Sequence, residues 1–231
     1  MAVSRRTLLA GLVAVPVTAH ARFPHSVPDN LVFFVGNSFM RQHDVPGLVC
    51  RIAENAGQDL YCHRRTANGA KLYESVDFAQ SITRDRGSPV PGTAVLQDHS
   101  LEPVTAKGRA RSADAIAIYA AQFERTILQE TWPRRAGHRI YTEPGMPRSP
   151  DEMTAMIRDH YAGQAMRTGT VVAPVALAWQ RAIAAGHDLH ASDGYHANAA
   201  GAFLTALVLA QTLGVPLPQD DPLAEIAASM I

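Results

Sequence analysis

The sequence predicts one α/β domain, a parallel sheet with helices packed on both of its faces. Short runs rich in β-branched and aromatic residues alternate along the chain with longer stretches of helical period. Such alternation supplies the crossover connections that parallel neighbours require and hairpins do not. The strand runs are apolar nearly throughout, as expected when both faces of a sheet are covered. With 231 residues and 47% hydrophobic content, the chain is long enough for one substantial core and tight for two. No internal repeat or low-complexity linker divides it.

The first strand is the continuous apolar run Leu31-Val-Phe-Phe-Val35, ended by Gly36-Asn37. After it Val45, Leu48, Val49, Ile52, Ala53 and Ala56 follow the i, i+3, i+4, i+7 rule of an amphipathic helix, which Gly57 closes. Further strands are expected at residues 59–63, 94–97, 139–142 and 170–175. Between the third and fourth of the five, Ile116, Tyr119, Ala120, Phe123 and Ile127 mark a long helix. Pro150-Asp151 starts another, with Met153, Met156, Ile157 and Tyr161 inward. A last helix covers residues 197–213 and is stopped by Gly214 and Pro216. Residues 67–93 and 98–111 carry little periodicity and are expected as loops over one sheet edge, where ligand sites of open α/β folds lie.

The chain opens with Ser4-Arg5-Arg6-Thr7-Leu8-Leu9 and a weakly apolar stretch to Val17, interrupted by Pro16 and too short to span a bilayer permanently. Ala19-His20-Ala21 then places small residues at the positions a signal peptidase reads. The Ser-Arg-Arg-x-Leu-Leu run resembles the twin-arginine export signal of bacteria. Residues 1–21 are therefore expected to be a signal peptide that engages the twin-arginine export machinery. Residues 22–231 would be the mature domain, in the periplasm or outside the cell; a Sec signal would lead to the same destination. The mature part carries 19 basic and 21 acidic residues.

Composition excludes several classes. Basic and acidic residues balance at 21 each over the full chain, which leaves no cationic footprint for nucleic acid. Two cysteines exclude a disulfide scaffold, and neither belongs to a C-x-x-C motif. An oxidising compartment permits Cys50 and Cys62 to pair, although spacing alone does not fix that geometry. His187, Asp188, His190, Asp193 and His196 crowd into one short stretch, but His187 and His190 precede a turn with no fixed helical register toward His196. No metal and no cofactor is expected, and His187 and His190 read as a solvent-facing loop.

Three places carry chemistry. Ser38, in Gly36-Asn37-Ser38-Phe39, follows the first strand directly, where its backbone N–H can donate to a developing oxyanion. By position alone it also fits a helix N-cap. Asp193 and His196 stand three residues apart in a turn-like stretch before the last helix, a spacing at which a carboxylate can orient a basic imidazole without long-range folding. That stretch also fits a solvated helix entry. Gln97 ends the third strand at the same edge as Ser38, where a side-chain amide could donate to an oxyanion. Gly69, after the second strand, could donate through its backbone N–H.

Serine, then amide donors, then Asp-x-x-His at successive strand ends resembles the SGNH or GDSL-type hydrolases, and within them a Gly-Asn-Ser-Phe subgroup in which Leu-Gln ends strand three. The stretch Asp193-Gly-Tyr-His196-Ala-Asn198-Ala-Ala-Gly201 carries the likeness most specifically. Asn37 stands where the family commonly has aspartate, and Gln97 where it has a Gly-x-Asn-Asp block. The resemblance implies a three-layer α/β/α sandwich with five parallel strands in the flavodoxin-like order 2-1-3-4-5. It implies Ser38 as nucleophile, His196 as base, Asp193 as orienting acid, and Gly69 and Gln97 as oxyanion donors. The expected activity is hydrolysis of a carboxylic ester, on a carbohydrate or a small lipid, through an acyl-enzyme.

Two other readings are weaker. An α/β-hydrolase elbow needs Gly-x-Ser-x-Gly, and position 40 is methionine. A non-catalytic carbohydrate- or lipid-binding module could use the same fold, but would have no need of serine, acid and histidine together.

Overall fold

The computed structural model describes residues 27–230. The expected signal peptide, residues 1–21, lies outside the described residues. Five strands, β1 (Leu31–Gly36), β2 (Tyr61–Thr66), β3 (Val90–Leu96), β4 (Phe123–Gln129) and β5 (Val171–Ala173), form one parallel sheet in the order β2-β1-β3-β4-β5. β1 is an inner strand, with Val32 beside Cys62 on one flank and beside Thr93 on the other. Among the described residues eight α-helices connect and cover the strands: α1 (Ser38–Arg41), α2 (Val45–Asn55), α3 (Val76–Arg86), α4 (Ala106–Ala120), α5 (Pro150–Thr168), α6 (Val175–Ala184), α7 (Ala199–Leu213) and α8 (Pro222–Ala228).

Alternate residues of β1 enter two separate cores, because successive strand side chains point to opposite faces. Val32 and Phe34, with Val95 and Ile127, pack against α2, α6, α7 and α8. Leu31, Phe33 and Val35, with Ala94, Leu96 and Leu128, pack against α3, α4 and α5. Both faces are therefore apolar, which is why the strand reads as an unbroken hydrophobic run. Each such side chain taken wholly out of water contributes roughly 1.5–3 kcal/mol before entropic costs.

Two expected elements are corrected. The fourth strand is Phe123–Gln129, not Arg139–Thr142, which forms a single 3-10 turn that buries Ile140 and Tyr141. Phe123 and Ile127 continue the 3.6-residue spacing of Ile116 and Tyr119 by coincidence. The chain leaves α4 at Ala120, and Gln122 N–H donates to the Tyr119 carbonyl as it turns into β4. The region expected as loops also holds α3 and the start of α4. The other strands lie within two or three residues of their expected starts, except β3, which begins at Val90. Cys50 of α2 and Cys62 of β2 form a disulfide with Cα atoms 6.3 Å apart, which ties an edge strand to its covering helix.

Candidate active site

The carboxyl ends of β1, β3 and β4 open onto one edge of the sheet, and the corner after β1 is built with little freedom. A Cβ added to Gly36 would lie 2.7 Å from both Gln97 Oε1 and Met40 Sδ, so both side chains would have to shift to admit one. Asn37 is the helix cap here: its Oδ1 accepts from the Phe39 N–H at 3.1 Å. Its Nδ2 donates to the Ala70 carbonyl at 3.1 Å, a bond that an aspartate could not make. The N-cap role that Ser38 might have filled is thus taken by its neighbour, and the Ser38 hydroxyl is left for other use.

That hydroxyl meets His196 Nε2 at 2.9 Å. The imidazole Nδ1 lies 2.7 Å from Asp193 Oδ2, while Asp193 Oδ1 accepts from the backbone N–H groups of Tyr195 at 3.0 Å and His196 at 2.9 Å. Burial alone would raise the Asp193 pKa. The Tyr195 N–H and the two bonds from His196 outweigh it and hold the carboxyl at about 2. Asp193 is therefore ionised at neutral pH, and the acceptor at Oδ2 fixes a proton on Nδ1 and leaves Nε2 free to accept from Ser38. Phe39 meets the His196 ring edge-on, with centroids 5.5 Å apart, and Tyr195 lies 4.0 Å from it, centroid to centroid, so the ring is held on two sides.

The turn that carries this pair is anchored at its far end. Asn198 caps α7 by accepting from the Gly201 N–H at 3.0 Å, and its Nδ2 donates to the Asp188 carbonyl at 2.8 Å. Gly201 lies so close to the Leu189 carbonyl and the Trp179 ring that a Cβ would come within 2.4 and 2.7 Å of them. His190, expected in a solvent-facing loop, is buried instead, with Nε2 2.9 Å from the Pro133 carbonyl and its ring edge-on to Trp179. Among the described residues no group of three or more His, Cys, Asp and Glu is arranged to hold a metal.

Gly69 lines the same cavity as Ser38 and His196. Its φ of 70° is in the left-handed region, which favours glycine, and its N–H carries no hydrogen bond among the described residues. The Ser38 N–H, at the first position of α1, likewise has no intrahelical acceptor. Gln97 is placed differently from expectation. It is buried, its Oε1 accepts from the Asn37 N–H at 3.0 Å, and its Nε2 donates to the Asp98 carbonyl. It does not line the cavity. Its amide is engaged in joining the ends of β1 and β3, so the geometry makes it a positioning residue for the Asn37–Ser38 corner rather than a donor to an oxyanion.

The cavity measures about 320 Å³ and is also lined by Phe39, Asn68, His99, Ser100, Arg134 and Tyr195. The sequence reading missed Arg134. It follows β4 by five residues, in a buried stretch that includes Glu130 and Trp132. With the fourth strand misplaced, this stretch was not recognised as a strand-end loop facing Ser38. Trp132 is sandwiched between Phe39, 4.4 Å away between ring centroids, and Trp179, 4.2 Å away and parallel within 2°. Its Nε1 donates to the Tyr195 carbonyl at 3.0 Å, so the stack also braces the turn that carries His196.

No family model and no curated protein matches the chain. Solved structures do. A protein of Slackia heliotrinireducens described as an SGNH hydrolase is 25% identical, with a TM-score of 0.66 over 80% of this chain and 98% of that one. A member of the lipolytic G-D-S-L family from Veillonella parvula matches at 14% identity and a TM-score of 0.61, over 80% of this chain and 98% of that one. An acetyl xylan esterase from Geobacillus stearothermophilus matches at 12% identity and a TM-score of 0.61, over 82% and 97%.

Proposed function

We propose that this chain, which belongs by fold to the SGNH/GDSL superfamily of hydrolases, is an exported serine esterase that works through Ser38, His196 and Asp193. The observation that carries the reading is the unbroken chain of contacts Ser38 Oγ–His196 Nε2 at 2.9 Å and His196 Nδ1–Asp193 Oδ2 at 2.7 Å.

In this reading the Ser38 hydroxyl attacks an ester carbonyl while His196 Nε2 takes its proton, and ionised Asp193 stabilises the imidazolium that forms. The unpartnered N–H groups of Ser38 and Gly69 receive the oxyanion. His196 then protonates the departing alkoxide oxygen, which leaves as the alcohol and gives an acyl-Ser38 ester. Water, deprotonated by His196, attacks that ester, and Ser38 recovers its proton as the acid departs. The cavity's modest volume supports a small acyl group, such as the acetyl of a carbohydrate ester or the acyl group of a small lipid. The Cys50–Cys62 disulfide supports an oxidising compartment, in line with the leader-like residues 1–21.

The test is to expose the protein spanning residues 22–231 to a fluorophosphonate and to a panel of p-nitrophenyl esters and acetylated sugars. The reading expects an adduct on Ser38 and ester turnover that Ser38→Ala abolishes. Substrate binding without an adduct or turnover would favour the non-catalytic module. Export is tested separately: Arg5→Lys with Arg6→Lys traps the precursor in the cytoplasm if the twin-arginine route is used, whereas normal export of that variant points to the Sec route.

A further inference from the structure

Arg134 is a buried cation without an anion. Its side chain is 7% exposed, and among the described residues it forms no ion pair. Nη2 donates to Ser100 Oγ at 2.8 Å, whereas Nη1 is buried with no acceptor. The guanidinium carbon sits 4.6 Å from the Tyr195 ring centroid and 5.6 Å from that of Phe39, so two aromatic faces fix it in place. Burial pulls its pKa down to about 10, which leaves it fully charged at neutral pH; Tyr195, Tyr141 and Asp193 act in the opposite direction. His99 and Ser100 bring no negative charge, and ionised Asp193 acts on Arg134 only from beyond ion-pair distance while hydrogen-bonded to His196.

Burying a charge is costly unless it is paired, and a guanidinium presents its donors in a planar fork suited to a carboxylate. Arg134 lines the same cavity as Ser38 and His196, so a ligand in that cavity is the available source of the missing charge. We infer that Arg134 selects the substrate: the ester cleaved here carries a negative charge, of carboxylate type, on the part of the molecule lodged against Phe39, Ser100 and Tyr195. The inference rests on the esterase reading above and narrows it to anionic esters.

Two pairs of esters, matched in size, test it. Charge on the alcohol side is read from 4-acetoxybenzoate against 4-acetoxybenzamide, and charge on the acyl side from mono-4-nitrophenyl adipate against 4-nitrophenyl hexanoate. The wild-type enzyme is expected to favour the anionic member of one pair in kcat/KM by about tenfold or more, the scale of a charge-assisted hydrogen bond. Arg134→Met is expected to collapse that ratio toward one, and Arg134→Lys to keep part of it; the lysine variant carries the test if the methionine variant does not fold. Neutral esters favoured in both pairs, or a ratio indifferent to Arg134, would overturn the inference. A second measurement does not need turnover. Ser38→Ala protein is titrated with benzoate and with benzamide, and benzoate is expected to bind more tightly only while Arg134 is present. If no ester is cleaved and Ser38 takes no fluorophosphonate, yet benzoate still binds through Arg134, the esterase reading has failed and the anion site stands. If benzoate shows no advantage, the anion site has failed.

Discussion

Ser38 and His196 are separated by 158 positions in the chain, and Ser38 Oγ lies 2.9 Å from His196 Nε2. Their contact is the one long-range joint of the proposed triad, because Asp193 and His196 meet within a single turn. The corner at Asn37 fixes one side of that joint, and the Asn198 cap with the Gly201 contact fixes the other.

Substitution of the triad members is expected to give unequal losses. Ser38→Ala should remove nearly all turnover, about 10⁶-fold in kcat, since members of a triad act as a unit. Asp193→Asn should cost about 10⁴-fold by presenting a donor to Nδ1 and so selecting the wrong tautomer of His196. Single-turnover kinetics with a p-nitrophenyl ester measure both, and wild-type rates for Ser38→Ala would overturn the assignment.

Gln97→Ala separates positioning from direct donation. Loss of the amide leaves the buried Asn37 N–H and Asp98 carbonyl without their partners. Each buried orphan costs about 1–3 kcal/mol, so a drop in melting temperature should accompany the drop in kcat. A loss of 10²–10³-fold in kcat at an unchanged melting temperature is the signature of an oxyanion donor and would restore that role to Gln97.

Glu130 makes stability depend on pH. Burial raises its carboxyl from 4.5 to about 7, against the opposing pull of Arg158 and of the backbone N–H groups of Ala176 and Leu177. Between those two values the folded protein keeps a proton that the unfolded chain has released. Stability from this group is therefore fully present below pH 4.5 and declines as pH rises toward 7, by about 3 kcal/mol in all. Glu130→Gln removes the titration. Its melting temperature relative to wild type should rise between pH 5 and pH 8, and a pH-independent difference would refute the shift.

Replacing both Cys50 and Cys62 by serine frees the edge strand β2 from α2. With a sequence separation of 12 between the two residues, the chain-entropy estimate for the lost cross-link is about 3 kcal/mol. Urea titration of the variant, and of wild type under reducing conditions, should show the same lowered midpoint.

The parallel sheet was legible from the alternation of strand and helix runs, whereas its order 2-1-3-4-5 and the roles of Ser38, Asp193 and His196 came from the family resemblance, carried most specifically by the Asp193–Gly201 stretch. The fourth strand was not. Glu124 and Arg125 are exposed within β4, and the apolar residues on either side of them, Phe123 and Ile127, also fit a helical period. Arg134 was hidden by the same error, since its importance depends on which strand it follows. The Gln97 amide was assigned by proximity to the strand edge, but which way an amide points depends on the backbone groups left unpaired nearby, here those of Asn37 and Asp98. Sequence position does not encode that.

The chain holds two tryptophans, and both are in the stack behind Phe39, the residue next to Ser38. Two indoles held parallel at 4.2 Å are close enough for their electronic transitions to couple, so light absorbed by one is shared with the other. All tryptophan emission from the folded protein therefore originates beside the Ser38–His196 pair, with none from elsewhere to dilute it. Acylation of Ser38, or a ligand pressing on Phe39, would alter the spacing of that pair and register as a change in emission or in the coupled circular-dichroism band. The molecule carries its own optical gauge of whether the site is occupied.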